Sequence, residues 1–317
     1  MPRRTMVPFG VSLLVLALVA GCRSAGLASL ERRAPLPVAP ATSLVVDTEG
    51  QAFYPLVLGN RWHYTRKFDA HWVDASGAPL EIHQVSAIER ELVCQTSSRG
   101  LPDSLTAHSY TVERTLESAD QVYTSWVYYR QDRSGLFEYD YSFPPPCASS
   151  PGIGLALRAT PLSSIADPGL PSDPGVRAAI VTLQKRLALV RYTLGVPAPS
   201  LHHPRPAAGE IVRLAYPMRT GQRWIIRGEP RFTASVEGVN SLDLPAGHFV
   251  AYRIRIDSDL FGPNDRVLVW YGREGFLRLD FHGESQGRDE NGNPTGLVTS
   301  EDHEVLDGIS LVDARQI

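Results

Sequence analysis

YPLVLGNRW at residues 54–62 returns as YPMRTGQRW at residues 216–224, with five of nine positions identical. Pro55 and Pro217 fix their own φ and bias Tyr54 and Tyr216 toward extended backbone. Gly59 and Gly221 permit a turn that other residues resist. Trp62 and Trp224 then open a strand with a large apolar surface for a core. The phrase reads as an arch into a strand, used once in each half of the chain. Its two tryptophans are expected to be buried and equivalent.

Outward from the second arch the pattern is β throughout. RFTASVE (231–237) puts Phe232, Ala234 and Val236 on one face, and FVAYRIRID (249–257) alternates in the same way. RVLVWYG (266–272) is apolar on both faces, which suits a strand in the middle of a sheet. A turn at Gly272 and Gly275 leads to FLRLDFHGE (276–284), and DENGN (289–293) holds an Asn-Gly hairpin signal. The first half follows the same plan, with RWHYTRKFDAHW (61–72), EIHQVSAIERELVCQTS (81–97), SYTVERTL (109–116) and a strand pair within 121–143. There WVYYRQDRSGLFEY (126–139) parallels LVWYGREGFLRL (268–279), so a second similarity follows the arch in the same order. The expected fold is mainly β: a curved antiparallel sheet or half-barrel made of two similar halves, 51–146 and 210–317. A diverged internal duplication would explain the repeat.

Between the halves, residues 147–209 hold a linker and one long amphipathic helix. Asp173 suits an N-cap and Pro174 the first helical position, while Gly195 and Pro197 end the segment, which predicts a helix over 174–194. Val176, Ile180, Leu183, Leu187, Val190 and Leu194 form a stripe, and Arg177, Lys185, Arg186 and Arg191 lie off it. Burying such side chains stabilises by about 2 kcal/mol each, so the stripe is expected to pack on the sheet and close its apolar face. The helix is then either a core plug or a lid over a cavity. In the second case Ile180, Leu183, Leu187 and Val190 would touch an apolar ligand.

Residues 1–21 read as a signal peptide. Arg3 and Arg4 precede an apolar run from Val11 to Ala20, and Val19-Ala20-Gly21-Cys22 resembles the lipobox of bacterial lipoproteins. The run is shorter than the roughly 20 apolar residues that a membrane span needs. The resemblance implies cleavage before Cys22 and acylation of its thiol. Several acyl chains, at about 0.8 kcal/mol per buried CH₂, anchor a protein stably. Residues 22–50 are rich in Ala and Pro and form a tether on the order of 30 Å long. The formal charge is −3 and becomes more negative once Arg3 and Arg4 are removed. That balance argues against nucleic acid as a partner. Cys94 and Cys147 remain, and in an oxidising envelope a bridge between them would stabilise by about 4 kcal/mol in the chain-entropy model.

No nucleophile elbow, zincin helix, phosphate loop or dinucleotide fingerprint occurs in the sequence. No catalytic residue, metal or cofactor is therefore expected, and an enzyme is the less favoured class. One polar set stands out. Arg278, Asp280, His282 and Glu284 share a strand face, and a turn at Asn291-Gly292 would place Asp280 opposite His303 and His282 opposite Glu301. Carboxylate–imidazole pairs serve acid–base chemistry or metals, and more commonly they stabilise an exposed surface.

Together the lipobox, YPLVLGNRW, LPAGHF (244–249) and VWYGREGFLRL (269–279) resemble a loose group of uncharacterised bacterial lipoproteins. Their pattern runs PL-x-x-G-x-x-W, then V-x-V-P-A-G-x-F, then W-Y-x-x-G-x-G-x-V. Leu242-Asp243-Leu244 replaces the usual valines here, and Glu274-Gly275-Phe276 shortens the last glycine motif. The resemblance implies a curved antiparallel sheet, similar to half-barrel periplasmic lipoprotein carriers, and carries no catalytic residues over. It implies an envelope protein anchored through Cys22, at the outer membrane and facing the periplasm. Two functions are expected to compete: non-enzymatic binding of an apolar ligand or lipid, and assembly or scaffolding through the surface.

Overall fold

The computed structural model describes residues 54–74, 79–97, 105–115, 122–138, 174–193 and 211–312. Five strands come first: β1 (Arg61–Asp74), β2 (Pro79–Ser97), β3 (Leu105–Thr115), β4 (Val122–Asp132) and β5 (Gly135–Glu138). Helix α1 (Pro174–Thr193) and β6 (Ile211–Ala215) follow. The remainder is β7 (Arg223–Arg227), β8 (Phe232–Leu244), β9 (Gly247–Ser258), β10 (Arg266–Gly272), β11 (Gly275–Arg288) and β12 (Pro294–Ser310). All the strands join one 12-stranded sheet in the order β6-β5-β4-β3-β2-β1-β12-β11-β10-β9-β8-β7. Each ladder is antiparallel, and β1 pairs with β12 from Arg61↔Ser310 to Asp74↔Gly296. The sheet is thus two six-stranded meanders, β1–β6 and β7–β12, laced together through their first and last strands.

The sheet curves until its end strands, β6 and β7, lie beside each other, and it stays open there. Side chains tie this seam where a ladder would otherwise run. Trp224 Nε1 donates to the Val212 carbonyl at 3.1 Å, and Gln222 Nε2 donates to the Ala215 carbonyl at 3.1 Å. β6 opens the expected second half, yet it hydrogen-bonds to β5 of the first. The seam follows it directly, at the arch.

The two arches share three backbone hydrogen bonds, although the Tyr216–Pro217 peptide is cis and the Tyr54–Pro55 peptide is trans. Gly59 N–H donates to the Leu92 carbonyl and Leu92 N–H returns a bond to Asn60; Gly221 and Gln222 make the matching pair with Val236. The Asn60 N–H bonds back to Val57 just as Gln222 N–H bonds back to Arg219. Gly59 and Gly221 have φ of 86° and 84°, the left-handed region that excludes most side chains. Each arch also touches the tight turn of the opposite meander. Tyr216 N–H donates to Ser134, in the β4–β5 turn, at 2.8 Å. Trp62 Nε1 donates to Glu274, in the β10–β11 turn, at 2.6 Å.

The expected equivalence of the tryptophans holds for position and fails for burial. Trp62 is fully buried. Trp224 is half-buried because β7 ends the sheet and offers its indole a ladder partner on one side only. The alternation read from sequence is kept on β8 and on β9 from Tyr252 onward; before it Phe249 and Ala251 are buried and Val250, expected on the buried face, is half-buried. Phe232, Ala234 and Val236 on β8, and Ile254 and Ile256 on β9, are all buried, and β10 is buried from Val267 to Gly272 between β9 and β11. On its outer side, Trp270 is covered by the Arg278 guanidinium, 5.1 Å from the ring centre.

Helix α1 lies along β11 and β12. Val176, Ile180, Leu183, Leu187 and Val190 face the sheet and are buried, as the stripe predicts, while Leu194 lies outside the described residues. Val176, Ala179, Ile180 and Leu183 pack with Trp72 of β1 and Val298 of β12. At the helix start the backbone sits directly on the sheet: a Cβ at Gly175 would collide with the Arg288 carbonyl and lie 2.6 Å from Thr295 Oγ1. Arg186 donates to Asp265 Oδ2 at 3.1 Å and to the Glu284 carbonyl at 3.0 Å. Arg191 corrects the expectation that it points away from the core. It is fully buried, because a curved sheet wraps more of the helix than the aliphatic stripe covers.

Candidate functional site

The outer polar set assembles with the expected register, Asp280↔His303 and His282↔Glu301. The turn is wider than two residues. Asp289 accepts from the N–H groups of Asn291 and Asn293, and a bulge at Gly287/Arg288 absorbs the difference. His303 Nδ1 lies 2.9 Å from Asp280 Oδ1, and Nε2 lies 3.5 Å from Glu301. His282 reaches Glu284 at 3.5 Å and Glu301 at 3.6 Å, and Arg278 holds Asp280 from its Nε at 2.9 Å and its Nη2 at 2.8 Å. The row continues onto β1 and β2, where His83 lies 2.5 Å from Asp69 and 3.3 Å from Glu81, and His71 lies 3.5 Å from Glu81. Sequence reading missed this half because its histidines lie in distant segments. Among the described residues no group of three or more such side chains is arranged to hold a metal ion.

The Asp280 hydrogen bond raises the His303 pKa against a smaller opposing effect of burial. Burial pushes the Asp280 carboxyl up, but bonds from His303 and Arg278 outweigh it and hold the group below its ordinary range. A raised histidine stabilises the fold fully below its unfolded value near 6.5, and that contribution is lost as pH rises through the folded value. For the lowered Asp280 the contribution is present above its unfolded value and lost as pH falls through the folded one. With both partners partly exposed, the pair is worth about 1 kcal/mol or less. Imidazole NMR titration should find His303 above 6.5 in the wild type and return it toward that value in Asp280→Asn. An unchanged midpoint in the variant would remove the pairing.

The inner face of the sheet carries a second and more unusual set. Arg66 on β1, Arg90 on β2, Glu138 on β5, Arg213 on β6, and Asp302 and Glu304 on β12 are all buried, together with Arg191 of the helix. Asp302 accepts from Arg66 Nε at 2.6 Å and from Arg191 Nη1 at 3.1 Å, and Arg191 Nη1 also lies 3.1 Å from Glu304. Arg213 bonds Glu138 and the Thr193 carbonyl, at the end of α1. Burial alone would raise the Asp302 carboxyl; Arg66 and Arg191 overcome this and hold it below its ordinary range.

Around these charges stand buried aromatics. Tyr54 lies 5.3 Å from Trp62 and 5.2 Å from Tyr129, ring centre to centre, and Phe276 lies 5.5 Å from Tyr64 and 5.6 Å from Tyr271. Tyr64 Oη donates to the Phe276 carbonyl at 3.1 Å. Burial drives the Tyr64, Tyr129 and Tyr271 hydroxyls far above their usual range, so they act as neutral groups. The Arg90 guanidinium sits 5.0 Å above the Tyr64 ring and 5.8 Å from the Phe276 ring. The interior is thus apolar along the helix stripe and polar toward the arch end. Among the described residues this interior presents no nucleophile–base pair. Of the residues expected to touch a ligand, Ile180 and Leu183 join the cluster around Trp72, while Leu187 and Val190 join the larger core. Cys22 and Cys147 lie outside the described residues. Cys94 stands opposite His108 in the β2–β3 ladder, and its side chain is outside them too.

No family model matches the chain, and no curated protein matches it. Several solved structures align with it, and the likeness of two of them is one of fold alone. One, from Parabacteroides distasonis ATCC 8503, is designated a lipoprotein; it is 13% identical, covers 82% of this chain and 99% of its own, and has a TM-score of 0.34. The other, from Bacteroides fragilis NCTC 9343, is designated an exported protein with a YmcC-like fold; it is 11% identical, covers 82% of this chain and 100% of its own, and has a TM-score of 0.35. Neither likeness is close enough to transfer a function.

Proposed function

We propose that the protein is a non-enzymatic lipoprotein of the bacterial envelope, anchored at the outer membrane through Cys22, that holds an apolar or amphiphilic ligand between the inner face of its sheet and helix α1. The observation that carries this reading is the state of the interior. Tyr54 Oη, Ser86 Oγ, Ser300 Oγ, Thr193 Oγ1 and two nitrogens of Arg90 are buried without a hydrogen-bond partner. Native cores satisfy nearly all such groups, and orphans mark places where water, an ion or a ligand belongs. Helix α1 roofs this face: Gly175 is seated on the β11 backbone, and Arg186 and Arg191 are tied to acidic groups of the sheet and its β9–β10 loop. Among the described residues no helix is long and apolar enough to cross a membrane.

Native mass spectrometry of protein extracted from membranes should show a non-covalent adduct that Leu187→Asp loses. Protein of bare mass in every preparation would end the ligand reading. Cys22→Ser should separately release the protein from membranes or leave an uncleaved precursor, and unchanged detergent partitioning and acyl labelling would end the anchor reading. A scaffolding role is the second reading, favoured by the outer histidine–carboxylate row. In that case Glu301→Lys should abolish co-purification of a protein partner while leaving any adduct in place.

A further inference from the structure

A third polar set, on the β8–β9 hairpin, has the connectivity of a nucleophile and its base. Ser241 Oγ lies 2.8 Å from His248 Nε2, and Asp243 Oδ1 lies 2.6 Å from His248 Nδ1. Register explains the meeting. Asp243 stands directly opposite His248, and Ser241, opposite Val250, is the diagonal neighbour of His248 on the same face. The atoms assign the protons. An ionised carboxylate only accepts, so Asp243 takes the hydrogen bond from Nδ1–H. Nε2 of the neutral ring is then an acceptor, and it receives the Ser241 hydroxyl. Serine on Nε2 and carboxylate on Nδ1 is the order of groups in serine acyl-transfer sites, which are recognised by geometry and not by sequence position. Sequence reading passed over the set because Ser241 sits in a plain strand, between Asn240 and Leu242, and in no elbow motif.

The hairpin is held from its other side. Leu242 and Leu244 pack against the core and Phe249 belongs to it, while the Leu244↔Gly247 pair closes the turn and fixes the register. Ser241, Asp243 and His248 are themselves exposed and within reach of a reactant. Beside Ser241 on the same face stand Val239, which is exposed, and Val250, which is half-buried. This small apolar patch suits a short acyl chain better than a long one.

We infer that Ser241 is a reactive serine that His248 activates to accept one short acyl group from an oxygen ester. Ser241 Oγ bonds to the acyl carbon as its proton passes to His248 Nε2. The ester C–O bond then breaks, and the imidazolium gives that proton to the departing oxygen. The products are an acylated chain and a free alcohol. Asp243 orients the ring and steadies the imidazolium formed on the way. The step modifies the chain once and lies on the surface, so it goes beyond the proposed function and stands independently of the interior.

The test treats full-length protein in detergent with p-nitrophenyl butyrate and, separately, with a short alkyl fluorophosphonate, whose adduct water does not readily clear. Nitrophenol release gives the rate; intact mass and peptide mapping give the stoichiometry and the site. The wild type should gain one group from the fluorophosphonate, carried on Ser241, and release nitrophenol faster than Ser241→Ala, which should show only the background rate. His248→Gln should slow both reactions on the order of 100-fold, the lower range for a general base. Asp243→Asn should slow them about fivefold, because the Asp243 side chain is 92% exposed and its charge is screened. The urea midpoint should stay in place in all three variants, since the changed side chains lie on an exposed face. Labelling of the wild type no faster than Ser241→Ala would overturn the inference, as would an adduct found on another residue. Labelling of Ser241 that is unchanged in His248→Gln would overturn the activation. A fallen midpoint with no labelling in the wild type would mean that the three groups only brace the hairpin. The interior adduct expected under the proposed function should survive in every variant, so loss of one reading leaves the other intact.

Discussion

Asp302→Ala is expected to destabilise the protein by about 3–5 kcal/mol, the range for removing one partner from a buried ionic group. Asp302 is fully buried and is the shared acceptor of Arg66 and Arg191. Without it two guanidinium groups are left in the interior beside Glu304. Typical domains have about 5–15 kcal/mol of stability in total, so the urea midpoint should fall steeply with little change in slope. Asp302→Asn should cost nearly as much, because it keeps the shape and removes the charge. Joint replacement of Asp302 and Arg191 by apolar residues of similar volume should recover part of the loss. Acid provides an independent check. The depressed Asp302 value means that its contribution is complete above the unfolded carboxylate range, near pH 3.9, and disappears as pH falls through the folded value. A loss under about 1 kcal/mol in Asp302→Ala would mean that water reaches the network.

Trp62→Ala should be comparably severe, at about 3–5 kcal/mol, whereas Trp224→Ala should cost about 1–2 kcal/mol. The residues occupy matching positions in matching arches. Trp62 is enclosed by Tyr54 and by the β10–β11 turn that accepts its indole N–H. Trp224 is half-exposed at the seam. Its loss should act locally, releasing the Val212 carbonyl and speeding amide exchange along β6 and β7 while the rest of the sheet keeps its protection. Chemical denaturation of both variants, with exchange measured on Trp224→Ala, separates the two roles. Equal losses would mean that the seam is as integral to the fold as the β1–β12 ladder.

The strands were legible where one face is apolar and the other is not. That is why Phe232–Val236, the β9 alternation from Tyr252 to Ile256 and the doubly buried β10 emerge from residue pattern alone. The pairing of Asp280 with His303 was legible because register propagates from a turn, and the bulge near Arg288 corrects for the wider loop. The interior network was not legible, for a physical reason. From Ser300 to Asp307 the chain places charged or polar groups on both faces of β12, so hydrophobic periodicity vanishes where the buried acids lie. Their partners are remote, with Arg66 and Asp302 separated by 236 residues and Arg191 and Asp302 by 111. Arg191 follows Val190 by one helical position, so a narrow-stripe reading turns it outward. Only the depth of the curved sheet turns it in.

The pairing of the first strand with the last also sets an order of events. Every other ladder joins strands that follow one another, so hairpins on either side of α1 can close as soon as both their strands have emerged. β1 cannot gain its second neighbour until β12, the last described strand along the chain, has been made, and the Asp302 network cannot close before then. A chain emerging N-terminus first would therefore hold two separate meanders, unjoined at the centre of the sheet, until the last described strand is delivered.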